Sequence, residues 1–299
     1  MIRGLMGALG AGVGLATLTY LAFVAVRGSS LLVRPQARPF LPDPPDAPAT
    51  PADLGMEYES VRIRTDDDVT LTGWLVPARR STTTAVVVMH GFSGNRLPEL
   101  AAFVPWLSER HHVLQFDFRG HGQSDGGLVT LGWRERRDVA AAVRFLSERG
   151  LGPIALFGIS MGGAIALVSA PELPVAAVIA DAAFAELRHP IANRMRQVGY
   201  PLASIGSRLV VAGARLRARA WLNDPIRAVA HIAPRALLLI APRDDTLISW
   251  RQSERMYHAA GEPRELWVVD NAGHAEAYAV DPVGYRRRVL EFLERHLAG

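Results

Sequence analysis

The 299-residue chain contains no cysteine and no lysine. Without cysteine there can be no disulfide, no cysteine-ligated metal and no thiol nucleophile. Without lysine, all 33 basic side chains are arginines, set against 29 acidic ones. The net charge of +4 is small and the two signs are interspersed, so no nucleic-acid partner is expected. Charged residues make up only 21% and hydrophobic ones 49%, a globular balance that excludes a disordered chain. No internal repeat is visible.

One long uncharged run stands apart. Leu5 to Val26 is 22 residues without a charge, enough at about 1.5 Å per residue to cross a hydrocarbon core of roughly 30 Å. A secretory signal peptide is the competing reading. Its apolar region would be shorter and would end in a small-x-small site before polar sequence. Here the run stops at Arg27, so a single-pass membrane anchor is expected. Arg3 precedes the run and Arg27, Arg34 and Arg38 follow it. By the positive-inside rule this leans toward placing the rest of the chain on the cytoplasmic side. Seven prolines between Pro35 and Pro51 then exclude helix and central strand and read as an extended spacer. The expected organisation is an anchor over 1–34, a linker over 35–54 and a globular domain over 55–299.

Within that domain, Tyr58–Ile63 and Leu71–Val76 alternate like two strands around the turn Asp66-Asp67-Asp68. Short apolar runs follow at Ala85–Met89, Val113–Phe116, Ile154–Phe157, Val175–Ala180, Ala236–Ala241 and Leu266–Val269. Such runs read as strands buried on both faces. Helical spacing lies between them, in Leu97, Leu100, Val104 and Leu107, in Val139, Val143 and Leu146, and in Val289, Leu290, Leu293 and Leu297. The pattern predicts an α/β architecture: eight strands in a mostly parallel sheet, an antiparallel pair at its edge, helices on both faces. The segment 184–228 is too long for a simple crossover. It carries eight arginines against Glu186 and Asp224. It reads as a helical cap inserted over the C-terminal edge of the sheet, where open sheets bind ligands. Its stretch Ser204–Leu222 interleaves Leu209, Val210, Val211, Leu216, Trp221 and Leu222 with arginines. That suits either a cap packed on the sheet or a helix touching a membrane interface.

The strongest local signal is Gly158-Ile159-Ser160-Met161-Gly162, between an apolar strand and a helix-compatible run. A G-x-S-x-G in this setting is a nucleophile elbow, which presents the Ser160 hydroxyl at the start of a helix. A serine hydroxyl needs a base. His274, in Asn271-Ala272-Gly273-His274 just beyond the strand Leu266–Val269, is the best placed of nine histidines. The base in turn needs an acid, and Asp244 or Asp245 after the strand Ala236–Ala241 can reach the same edge. The backbone N–H groups of Met161 and Phe92 are positioned to form an oxyanion hole, Phe92 directly after the strand Ala85–Met89. His90 reads as a loop-shaping residue.

Four segments carry a family resemblance: Val88-Met89-His90-Gly91-Phe92, Asp117 to Ser124, Gly158 to Gly163, and Ala272-Gly273-His274. From about Glu57 to Leu297 the chain resembles the α/β-hydrolase superfamily, and within it the Bem46-like and serine aminopeptidase-like branch. The resemblance implies the α/β-hydrolase fold with a cap, and a triad of Ser160, Asp245 and His274. It selects Asp245 over Asp244, although the Gly that often stands three residues before the acid is Pro242 here. It makes Asp117 and His121 structural. It implies an activity without metal or organic cofactor: cleavage of a small-molecule or lipid ester through an acyl-enzyme. A peptidase and a thioesterase use the same triad, and a non-catalytic binding protein can keep the fold. The sequence leaves oligomeric state open.

Overall fold

Alternation within single strands decides the centre of the molecule. Ala85, Val87 and Met89 of strand β3 (Ala85–Met89) join one hydrophobic core, while Val86 and Val88 join a second on the opposite face. A strand buried on both sides requires helices over both faces of its sheet. The computed structural model describes residues 2–36, 38–221 and 223–297, with side chains from residue 12 onward. Among these, β3 is one of eight strands in a single sheet. The others are β1 (Glu59–Arg64), β2 (Thr70–Val76), β4 (His112–Phe116), β5 (Ile154–Ile159), β6 (Ala177–Asp181), β7 (Ala236–Pro242) and β8 (Arg264–Val269). They lie in the order β1-β2-β4-β3-β5-β6-β7-β8. β1 pairs antiparallel with β2 and β2 antiparallel with β4, and every remaining pairing is parallel. This is the predicted α/β fold. The sixth strand starts at Ala177 rather than Val175, whose N–H is turned back onto the Leu173 carbonyl at 2.9 Å.

The helices in chain order are α1 (Ile2–Val33), α2 (Leu97–Leu107), α3 (Glu135–Glu148), α4 (Met161–Ser169), α5 (Arg188–Gln197), α6 (Ala203–Ala218), α7 (Pro225–Ala228), α8 (Arg251–Ala259), α9 (Ala277–Val280) and α10 (Pro282–Leu297). Val139, Val143 and Leu146 of α3 and Met161, Ala164, Ile165, Ala166 and Leu167 of the buried helix α4 pack into one core, with Met256 of α8. Leu100, Val104 and Leu107 of α2 and Val289, Leu293 and Leu297 of α10 fill the other. These are the faces predicted from helical spacing. Helices α5, α6 and α7 form the cap between β6 and β7.

Helix α1 is longer than the uncharged run and continues past Arg27 to Val33. Its two ends behave differently. Residues 12–19 are mostly exposed, whereas Val24, Ser29 and Val33 are buried. The buried end crosses α6 so closely that a Cβ at Gly28 would collide with Val210, and one at Gly213 with Ser29. The Arg217 Nε donates to the Ser29 hydroxyl at 2.8 Å, and the Val129 N–H donates to the Val33 carbonyl at 2.9 Å. Much of the apolar face of α6, Val210 included, is therefore covered by α1, while Leu216 and Trp221 stay exposed. Leu222, counted above among the apolar residues of the cap, lies outside the described residues.

The proline-rich linker is held against the body. The Arg38 N–H donates to the Ser93 carbonyl at 2.9 Å, and Asn95 donates to the Pro39 carbonyl at 3.2 Å. The Arg96 guanidinium is sandwiched between the rings of Phe40 and Trp74, 4.3 Å and 4.0 Å from their centroids. Such cation–π stacking is favourable where the cation is desolvated, as Arg96 is.

Candidate active site

Strand β5 ends at Ile159 and α4 begins at Met161, so the whole turn falls on Ser160. Its backbone is forced to φ 53° and ψ −112°, a conformation that side-chain-bearing residues rarely adopt. The turn is possible because of its glycines. A Cβ on Gly158 would overlap the backbone of Gly162, and a Cβ on Gly162 would overlap the carbonyls of Met89 and His90. Only hydrogen fits at either place. The Ser160 N–H donates to the Asp181 carbonyl at 2.8 Å, and its carbonyl accepts the first bond of α4 from Ala164 at 3.0 Å. The hydroxyl is left pointing out of the sheet at the positive end of a helix.

Three sequence-predicted residues meet there. The Ser160 Oγ lies 3.0 Å from Nε2 of His274, and Nδ1 of the same ring lies 2.6 Å from Oδ2 of Asp245. The other carboxylate oxygen of Asp245 accepts the backbone N–H groups of Leu247 and Ile248 at 2.8 Å and 2.7 Å. The acid is thus clamped in a tight turn after β7 with a completely buried side chain, while His274 keeps 27% of its side-chain surface open. Asp244, the other candidate, is exposed and contributes its backbone N–H to the Ala272 carbonyl instead.

The loop after β3 runs beside the serine: a Cβ added at Gly91 would come within 3.7 Å of the Ser160 Cβ. Its Phe92 lines the same cavity as Ser160 and Met161. Among the described residues neither the Phe92 nor the Met161 N–H has a protein acceptor. His90 shapes this loop: its Nδ1 lies 2.8 Å from the Gly91 carbonyl, and its Nε2 accepts the Phe118 N–H at 3.1 Å. Complete burial holds its pKa down to about 3, so the ring is neutral and serves as a strut. Asp117 is likewise structural. It accepts the N–H groups of Arg96 and Gln123 at 2.8 Å each and pairs with the Arg96 guanidinium. His121 is buried beside His90, with Nδ1 against the Arg119 carbonyl at 3.0 Å.

Sequence reasoning missed three features. Asp181, at the end of β6, is buried behind the elbow and accepts the Tyr285 hydroxyl at 2.7 Å. Burial raises its pKa to about 7. An acid closing an apolar strand at the catalytic edge is the signal that could have found it. The second is Leu131, which reaches the site with a φ of 51°. It is held there because Glu135 binds the N–H groups of Thr130 and Gly132 at 2.6 Å and 2.8 Å. The third is helix α1. A cavity of about 430 Å³ opens from Ser160 and Met161 and runs between the cap and the last turns of α1. Its lining is almost entirely apolar, and no lining residue is acidic. Among the described residues no His, Asp or Glu cluster could hold a metal ion.

Known proteins resemble this chain in sequence and fold to differing degrees. A sequence model of the alpha/beta hydrolase fold family matches residues 84–202. The uncharacterized protein YqkD of Bacillus subtilis is 30% identical, the match covering 73% of each chain. The uncharacterized protein Rv2307c of Mycobacterium tuberculosis is also 30% identical, over 79% of this chain and 78% of the relative. Among solved structures, an esterase of Pyrococcus furiosus, PF2001, superposes with a TM-score of 0.72 at 29% identity, covering 83% of this chain and 95% of the esterase. The alpha/beta hydrolase GrgF from Penicillium superposes with a TM-score of 0.67 at 24% identity, covering 82% of this chain and all of GrgF, and supports the fold alone.

Proposed function

This chain belongs to the α/β-hydrolase family, and from that premise we propose that it is a serine hydrolase cleaving carboxylic esters through an acyl-enzyme. The observation that carries the reading is the unbroken chain of short contacts from Ser160 through His274 to Asp245. Asp245 accepts a hydrogen bond from the Nδ1–H of His274 and so fixes the tautomer whose Nε2 lone pair faces the serine hydroxyl. Ser160 attacks the ester carbonyl as its proton passes to Nε2. The N–H groups of Phe92 and Met161 are the donors proposed for the oxyanion that forms. The imidazolium then protonates the departing alcohol. In the second half, His274 takes a proton from water as it attacks the acyl-enzyme, then returns that proton to the departing Ser160 oxygen, releasing the acid and restoring the free enzyme.

The apolar cavity favours an acyl group over a peptide. A peptidase recognising a free α-amine needs an anionic anchor, and the cavity lining supplies none. Glu186, one of the two acidic residues of the cap, is already engaged by Arg188, His189 and Arg255. We also assign α1 to the mature protein as a single-pass anchor. The close seating of Gly28 and Ser29 against α6 supports retention, since a cleaved signal has no need to pack there.

A fluorophosphonate probe tests the reading directly, because its reaction requires an activated serine. Wild-type protein is expected to be labelled at Ser160 and to hydrolyse p-nitrophenyl esters faster than aminoacyl-anilides. Absence of labelling would leave the fold as a binding scaffold. Faster anilide turnover would make the enzyme a peptidase.

A further inference from the structure

The proposed reaction uses the polar end of the cavity and gives its long apolar side no role. That side is built by α1, which contributes Phe23, Val24, Arg27, Gly28, Leu31 and Leu32. These positions recur at helical spacing and form one stripe of the helix. Cap residues such as Pro190, Ile191, Met195 and Val198 supply the facing wall. From Leu31 to Phe23 the stripe covers about 12 Å along the helix axis. Ser160 closes the inner part of the cavity. Its outer rim is apolar and exposed: Phe23 is 57%, Val198 54% and Tyr200 45% accessible.

The rim coincides with the place where α1 leaves the body. The last tie is the Tyr20 hydroxyl, which donates to the Pro201 carbonyl at 2.8 Å. On the N-terminal side of Tyr20 the helix is the first part of the uncharged run, which starts at Leu5. One face of the same helix, Gly12, Leu15, Ala16, Thr19 and Tyr20, continues outward from Phe23. With the run seated in a bilayer, Phe23 would lie at the last apolar turn and the exposed Arg27 guanidinium at the headgroups.

We propose that α1 is both anchor and acyl-binding wall: the substrate is an ester of a bilayer lipid, whose acyl chain passes from the membrane interior along Phe23, Gly28 and Leu31 to Ser160. The proposal rests on the esterase reading of Ser160. A chain that follows this stripe lies against mostly apolar side chains, with Arg27 and Arg194 the charged members of the lining. A chain entering from water would expose each methylene.

The test uses the full chain reconstituted in phosphatidylcholine vesicles. A dodecyl fluorophosphonate ending in a diazirine is reacted with Ser160 and then irradiated. Crosslinks to residues 20–32 are expected, and crosslinks confined to the cap or the strand loops overturn the proposal. If Ser160 is not labelled at all, the esterase reading fails first and the proposal falls with it. In Leu31→Trp the ratio of kcat/KM for p-nitrophenyl laurate to that for the butyrate is expected to fall about tenfold or more. A general folding defect would lower both rates together, so an unchanged ratio in a labelled, folded variant also overturns the α1 wall. Finally, a non-exchanging lipid ester is offered either in the enzyme's own vesicles or in separate ones. Hydrolysis only in the shared vesicles is expected, and equal hydrolysis in both overturns entry from the bilayer.

Discussion

Ser160 holds a positive φ that costs of order 1–3 kcal/mol and is tolerated because Gly158 and Gly162, lacking Cβ atoms, let the turn close around it. Strain of this kind belongs to the backbone, so Ser160→Ala is expected to leave the melting temperature unchanged while lowering ester turnover by several orders of magnitude. Activity above about a tenth of wild type would remove Ser160 from the mechanism. The two neighbouring acids separate just as cleanly. Asp245→Asn is expected to cost up to roughly 10⁴-fold in kcat by favouring the wrong His274 tautomer, and Asp244→Asn to cost little. The reverse order would mean that the acid is misassigned. Asp181 makes a different, pH-dependent prediction. Its pKa is about 7 in the folded chain against an ordinary 3.8, so between those values only the unfolded chain gives up its proton. This group's contribution to stability is complete below about pH 4 and is lost as pH rises through about 7. Asp181→Asn removes that loss. The melting temperature of the variant relative to wild type is expected to rise by several degrees between pH 4.5 and pH 8. A difference that stays flat across that range would show that the buried carboxyl is not what titrates.

At the scale of elements, α1 divides into a projecting part and a packed part, and truncation can tell them apart. Removing residues 1–22 keeps Val24, Gly28, Ser29 and Val33 in place and is expected to leave thermal stability near that of the full chain. Removing 1–34 uncovers Val210 and strips the buried Val24 and Val33 from their contacts. Each lost apolar side chain is worth about 1.5–3 kcal/mol, so a fall of roughly 10 °C in melting temperature is expected. Equal stability of the two truncations would make the packed turns dispensable. The same helix marks the boundary of what the sequence discloses. The elbow is legible because its requirement is local: Gly158 and Gly162 must be bare for a turn five residues long. The strands are legible because burial on both faces leaves unbroken apolar runs such as Ala85–Met89. The uncharged run of α1 looks like a self-sufficient anchor, and nothing in its composition reveals that Gly28 meets Val210, 182 positions along the chain. The linker hides its contacts in the same way. Its prolines report an extended backbone, but the docking of Phe40 on Arg96 depends on a partner more than fifty residues away. Asp181 reads as the polar end of a strand until Tyr285 is placed against it.

On the scale of the whole molecule, the exposed apolar residues are unevenly placed. Phe23, Val198, Tyr200 and Leu202 gather where α1 leaves the body, at the edge that holds Ser160. The N-terminal ends of the parallel strands lie at the opposite edge, where Arg79, Arg80 and Ser81 precede β3 and are exposed. A body tethered by α1 would therefore rest on the bilayer with its catalytic edge downward and β3's entry loop in water. The absence of cysteine makes this measurable, since any thiol introduced is unique. Val198→Cys and Leu202→Cys, in the full chain reconstituted in vesicles, are expected to react with a water-soluble maleimide several-fold more slowly than the same variants in detergent at matched protein concentration. Arg80→Cys is expected to react equally in both. The reason is that the thiolate is the reacting form and a hydrocarbon-facing thiol is disfavoured from ionising. If Val198→Cys and Leu202→Cys react as freely in vesicles as Arg80→Cys does, the catalytic edge faces water. The apolar rim would then have to be covered by something other than lipid.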